Sequence, residues 1–217
     1  KKRRKKRSVP PIDVVVTDYD INRFWLEEAA DRYFVATEEI AHKLRRWGVA
    51  PERVKVTGIP IHPVFSATPV QEKILRELDL RTGLPTLLLL SGGLGIGALE
   101  KTVRALCGIG TGLQIISVAG RNKRLAAEIA KIAPPDNVRL RSLGFVSNME
   151  ELLSIADLVV TKPGGLTTSE CLAKGAAMVV VSPIPGQEER NADFILEHGA
   201  GIKAHGLEEL EFKIARL

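Results

Sequence analysis

At 217 residues, 45% hydrophobic and 5% aromatic, the chain can bury one large core or two smaller ones, packed mainly by Val, Leu, Ile and Ala. The net charge of +5 is uneven: Lys1, Lys2, Arg3, Arg4, Lys5, Lys6 and Arg7 form one terminal run, and the rest of the chain is slightly acidic. That distribution argues against a nucleic-acid-binding face, which spreads Lys and Arg over a folded surface, and no apolar run approaches the roughly 18 residues that cross a bilayer or forms a secretory signal.

The leading basic run reads as a tail or loop. With no initiating Met before it, the natural start is expected upstream of Lys1. Ile12 to Thr17 is a β-branched run that predicts a buried strand, with further strands at Arg32 to Ala36 and Arg53 to Thr57. Between the last two, Glu38 to Trp47 has helical period, with Thr37 as N-cap and Gly48 as the stop. Pro60, Pro63 and Pro69 then punctuate a linker. A second unit opens with the strand Thr86 to Leu90 and continues with strands at Gln114 to Ala119, Val138 to Leu140, Asp157 to Thr161 and Ala177 to Val181. Helices are predicted at Ala98 to Cys107, Lys123 to Ile132, Met149 to Ile155, Thr167 to Lys174 and Glu188 to His198. This alternation is the βαβ succession of a parallel, Rossmann-like sheet. Cys107 and Cys171 lie in unrelated segments without metal-ligand spacing; they suit a reducing compartment and read as core filler. The final pattern, Leu207 to Leu217, is helical and uncapped, so the chain is expected to continue.

Three strand-end segments carry chemistry. Ser91-Gly92-Gly93-Leu94-Gly95-Ile96-Gly97 lets backbone N–H groups approach an anion at a helix start. The same glycines also make a plain tight turn. A dinucleotide site expects a carboxylate about 20 residues on, but the next strand ends in Ala119-Gly120-Arg121-Asn122, and the Gly-Lys-Ser/Thr ending of a Walker loop is missing. Thr161-Lys162-Pro163-Gly164-Gly165-Leu166-Thr167-Thr168-Ser169-Glu170 is the second such turn, running into a hydroxyl-rich helix start suited to a diphosphate. Glu170 would repel phosphate and more sensibly accepts hydrogen bonds from ribose hydroxyls. The same spacing, Thr167-x-x-Glu170, also makes a capping box. The third segment, Ser182 to Ala192, places Gln187 and Glu188 where they could bind a neutral polyol or merely open a solvated helix. In an open parallel sheet such loops share one crevice.

Pro163-Gly164-Gly165, Thr167, Glu170, Pro185-Gly186-Gln187-Glu188 and Asn191-Ala192 resemble the donor-site signature of GT-B glycosyltransferases. Val16-Thr17-Asp18 with Trp25, Tyr33-Phe34-Val35 and Thr57-Gly58-Ile59-Pro60 resemble the branch holding monogalactosyldiacylglycerol synthases and processive diacylglycerol glucosyltransferases. The N-acetylglucosaminyltransferase of the peptidoglycan lipid intermediate is a relative of that branch. The likeness runs from about Val14 to the C-terminus. It implies an α/β fold of GT-B type with two Rossmann-like domains, the first only partly present. Residues 1–65 would be the C-terminal part of the acceptor domain with its basic leading segment, 66–85 a linker and entry helix, and 86–217 the UDP-sugar donor domain.

The resemblance also assigns roles. Ser91, Gly92, Gly164, Gly165, Thr167 and Thr168 would face the diphosphate, Glu170 the ribose, the backbone of Phe145 and Val146 the uracil, and Gln187 and Glu188 the sugar hydroxyls. The catalytic base is expected upstream of Lys1. Asn22 stands where the branch usually has His, and it cannot act as a base. The implied reaction moves a hexosyl group from a UDP-sugar to a lipid hydroxyl, diacylglycerol above all, with no metal and no cofactor beyond the donor substrate. The expected partners are UDP-sugar, the lipid acceptor and an anionic membrane surface met by Lys1 to Arg7, with no nucleic acid; the expected location is cytoplasmic, peripheral on the membrane. The alternatives are a UDP-sugar epimerase of the same fold and a non-catalytic sugar-nucleotide-binding module.

Overall fold

The computed structural model describes residues 10–94 and 98–216 and divides into two compact units, residues 1–60 and 61–217. Lys1 to Arg7, and Gly95 to Gly97 of the first glycine-rich segment, lie outside the described residues.

The first unit holds a parallel sheet of order β1-β2-β3, from β1 (Asp13–Val15), β2 (Arg32–Val35) and β3 (Val54–Val56). Helix α1 (Glu38–Arg46) connects β2 to β3. Its start is fixed as expected: Thr37 Oγ1 accepts from Ile40 N–H, and Glu38 and Glu39 sit in the first turn. Lys43, Arg45 and Arg46 occupy the last turn, and Gly48, at φ 95°, ends the helix. Ile40, Ala41 and Leu44, one helical face, pack with Val16, Tyr33, Val35 and Val54. The Tyr33 hydroxyl, buried in this core, donates to Glu27 O at 2.9 Å and accepts from Glu27 N–H at 2.8 Å, so the phenol is satisfied.

The second unit contains helix α2 (Gln71–Glu77) and strand β4 (Thr86–Leu90). Then come α3 (Ser91–Leu94), α4 (Ala98–Cys107), β5 (Leu113–Val118), α5 (Lys123–Ala130) and β6 (Val138–Leu143). The chain continues through α6 (Met149–Ile155), β7 (Leu158–Thr161), α7 (Gly165–Lys174), β8 (Ala177–Val181) and α8 (Gln187–Glu197). It closes with β9 (Gly201–Ala204) and α9 (Leu207–Ile214). All six strands pair in parallel in the order β6-β5-β4-β7-β8-β9. From β4 outward, this is the doubly wound order whose direction reverses between β4 and β7, the switch point where ligands bind.

The apolar runs are continuous because both sheet faces are covered. Leu87 and Leu89 point into a core with α4, α5 and α9, while Leu88 points into the opposite core with α2, α6, α7 and α8. Strand β1, expected as a buried run over Ile12 to Thr17, is a three-residue edge strand with Ile12 and Val15 exposed. Two further elements differ from expectation. Strand β6 runs on through Leu143, where the polar Arg139 and Arg141 hide it: β6 is an edge strand, and Arg141 reaches out to the carbonyl and carboxylate of Asp79. Strand β9 is absent from the sequence reading because its four residues carry no apolar run. Its place beside β8 is set by pairing alone.

Candidate functional site

Because every strand of the second sheet is parallel, the ends of β4, β5, β6, β7 and β8 open on one edge. At the end of β4, Ser91 is half-buried and Gly92 exposed, together opening α3. The adjoining strand ends stay free of side chains where they pass Ser91. A Cβ at Gly120 would stand 3.8 Å from Ser91 Oγ, and one at Gly144 would stand 3.7 Å from Gly120 O. Gly120 also has φ 58°, the left-handed region where glycine is favoured. Just beyond, the Phe145 ring is 70% exposed, and the Arg121 guanidinium lies 5.9 Å from its centroid, within cation–π range. Val146 is half-buried and packs against the core.

At the end of β7, Gly164 is the N-cap of α7 and offers no side-chain acceptor. The N–H groups of Gly165, Leu166 and Thr167, the first three helical residues, have no acceptor within the helix, since the helical ladder starts where Thr168 N–H meets Gly164 O at 2.8 Å. Three parallel donors at the positive end of a ten-residue helix are the kind of group that suits an anion. They stand beside the switch point. One turn further in, Glu170 is half-buried. Burial pushes its carboxyl above the ordinary carboxylate range, and no hydrogen bond or ion pair among the described residues offsets that.

At the end of β8, loop 182–186 leads into α8. Gln187 is exposed, and Glu188 is half-buried with its Oε2 accepting from Ile184 N–H at 2.6 Å. Among the described residues no group of three or more His, Cys, Asp or Glu is arranged to hold a metal ion. A cavity of about 1050 Å³ opens at the opposite edge of the sheet, among Thr86, Leu113, Leu158 and Ala177 at the strand starts. None of the predicted site residues lines it.

Comparison with known proteins narrows the chemistry. The profile of the glycosyltransferase family 28 C-terminal domain matches residues 86–216, more than half of the chain. The chain belongs to this family. Residues 1–61 match the profile of monogalactosyldiacylglycerol (MGDG) synthase. A processive diacylglycerol beta-glucosyltransferase of Bacillus pumilus (strain SAFR-032) is 34% identical over 218 residues, covering 99% of this chain and 56% of the relative. The chain thus spans about half the length of the curated relatives it matches. Among solved structures, Acinetobacter baumannii MurG aligns with TM-score 0.66 at 20% identity, over 95% of this chain and 57% of MurG. Anabaena Alr3699/HepE in complex with UDP aligns with TM-score 0.57 at 17% identity, over 95% and 62%. These likenesses place the chain in the GT-B type of α/β fold.

Within the family 28 domain, Ser91, Gly92, Phe145, Val146, Gly164, Gly165, Thr167, Glu170, Gln187 and Glu188 all fall on the one edge. Thr168 is fully buried, and its Oγ1 has no hydrogen-bond partner among the described residues. One reading changes. The helix starts at Gly165, which makes Thr167 its third residue and Glu170 its sixth, so the two cannot form a capping box. Asn22 serves its own turn, capping the short 3₁₀ segment Arg23–Trp25 with its Oδ1, which accepts from Phe24 N–H at 3.0 Å. Arg121 is the residue that sequence reasoning passed over. It stood out only for what it was not, a carboxylate; its position against Phe145 comes from the neighbouring β5 and β6 ends.

Proposed function

We propose that this chain carries the UDP-sugar-binding domain of an enzyme that transfers a hexosyl group to a lipid hydroxyl, with diacylglycerol the favoured acceptor. The observation that carries the reading is the start of α7 beside the switch point, which has no side-chain cap among the described residues, with the half-buried Glu170, partnerless among those residues, one turn inside it. The N–H groups of Gly165, Leu166 and Thr167 would bind the diphosphate, faced by Ser91 and Gly92 from the end of β4. As the glycosidic bond to the leaving UDP breaks, negative charge grows on that diphosphate, and donors already aimed there lower the barrier without having to reorganise. Glu170 would accept hydrogen bonds from the ribose hydroxyls. The backbone of Phe145 and Val146 would read uracil, and Arg121 on Phe145 would hold that wall of the pocket. Gln187 and Glu188 would meet the sugar hydroxyls. No redox or group-carrying cofactor enters this scheme, because the UDP-sugar is itself the donor substrate.

The acceptor assignment is supported by the names of the relatives, which act on diacylglycerol, and by the MGDG synthase match over residues 1–61. No helix among the described residues is long and apolar enough to cross a membrane. We assign contact with an anionic membrane surface to Lys1 to Arg7, and a peripheral place on the cytoplasmic side. The site reading is tested by calorimetric titration of the chain with UDP and with ADP. UDP should bind at one site and ADP markedly more weakly, since the β6 end reads the base. Equal affinities, or no heat with UDP, would refute it.

A further inference from the structure

The loop between β8 and α8 is Ser182-Pro183-Ile184-Pro185-Gly186. Its two prolines have no N–H, so only Ser182, Ile184 and Gly186 can donate from the backbone. Two of these donors are taken by carboxylates from the first turn of α8. Ile184 N–H donates to Glu188 Oε2 at 2.6 Å, and Gly186 N–H donates to Glu189 Oε2 at 2.9 Å. The loop needs holding. Ser182 lies at φ 45°, in the left-handed region that a residue with a Cβ seldom adopts, and Gly186 lies at φ 87°. Glu189 makes only one half of a capping box, accepting from the N-cap Gly186 N–H, since glycine has no side chain to return the bond. Glu188 does something else: it reaches back four residues to the middle of the loop, and its Oε1 takes no hydrogen bond among the described residues.

We propose that Glu188 is a positioning residue whose two carboxylate oxygens couple the loop to the donor sugar. Oε2 fixes the loop through Ile184 N–H, and Oε1 accepts from a hydroxyl of the sugar. This rests on the donor-site reading above and adds a consequence to it. Ordering of residues 182–186 and occupation of the sugar position become one event, because both draw on the same carboxylate. A ligand carrying the sugar tightens the loop, and UDP alone does not.

Amide hydrogen exchange resolved at Ile184, combined with calorimetry, tests both halves. In the ligand-free chain Ile184 should exchange slowly in wild type and in Glu188→Gln, whose amide oxygen can still accept. In Glu188→Ala it should exchange about tenfold faster, the factor expected for losing one charge-assisted hydrogen bond. UDP-glucose, and not UDP, should slow Ile184 further in wild type. Glu188→Ala should weaken UDP-glucose about tenfold while leaving UDP unchanged. Equal Ile184 exchange in wild type and Glu188→Ala would overturn the loop half. Equal losses for UDP and UDP-glucose would show a damaged helix start and overturn the coupling. Failure of UDP to bind wild type would instead sink the donor-site reading and the sugar half with it, while the ligand-free comparison still decides the loop half.

Discussion

Glu170 is a carboxylate in the wrong place for stability. It is the sixth residue of α7, beyond the first turn where the helix start favours negative charge; burial raises its pKa, and nothing among the described residues compensates. The folded state therefore holds this proton to higher pH than the unfolded chain does. Its contribution to stability is complete below the unfolded pKa and is lost as pH rises through the folded value. Stability of Glu170→Gln should accordingly fall less than wild type as pH rises through the upper carboxylate range, as urea titrations at a series of pH values would show. Ligand binding reverses the balance: ribose hydroxyls donating to the carboxylate favour its charged form, so UDP binding at mildly acidic pH should release protons. Glu170→Ala should weaken UDP by about 1–3 kcal/mol, the usual loss for hydrogen bonds to a charged group. Because Glu170 makes no capping bond among the described residues, the melting temperature should not drop with it. A lower melting temperature with unchanged UDP affinity would return the residue to a purely structural role.

At the scale of elements, β9 depends on one atom that is missing. A Cβ at Gly201 would stand 2.3 Å from Met178 O of β8 and 2.9 Å from Ile195 Cγ2 of α8. The first contact is with backbone and cannot be relieved by a rotamer change. Gly201→Ala should push β9 from β8 and cost about 1–3 kcal/mol, the usual range for overpacking a tight site. Urea unfolding should show this as a lower midpoint with an unchanged slope. A wild-type midpoint would mean that the strand shifts without loss. Because α8 packs on β9, this contact also bears on where the helix delivers Gln187 and Glu188 to the crevice. The site is thus tied to an edge strand that carries none of its residues.

The whole molecule separates its charge from its core. The described residues build two α/β units, while the densest positive charge lies in Lys1 to Arg7. Near an anionic leaflet each Lys or Arg contributes about 1 kcal/mol before screening, so seven together could dock the protein without an inserted helix. Co-sedimentation should bring the chain down with phosphatidylglycerol-containing vesicles and leave it in solution with neutral ones. High salt should release it, since screening shortens the reach of surface charge. Changing Lys1 to Arg7 to Ser should abolish the pelleting. Equal binding of both proteins to both kinds of vesicle would exclude this electrostatic contact.

Composition and periodicity alone determined much of this. The β-branched and Leu-rich runs marked the central strands, and the amphipathic stretches marked the helices between them. The glycine turns at 91–92 and 164–165 marked the places where strands feed helices, because local sterics write such signals into neighbouring residues. Pairing across the sheet is not local, and there the sequence was silent or misleading. It could not give the order β6-β5-β4-β7-β8-β9, which brings residues 91–92 and 164–167 to the same switch point. Nor could it give β9, whose sequence carries no strand signal until β8 is beside it. The start of α7 two residues before the apparent capping box was decided by tertiary structure as well. So was the burial of Thr168, because which face of a helix start meets the core depends on the sheet it packs against. Arg121 belongs to this second class: two strand ends must be adjacent before its charge and the Phe145 ring become one wall.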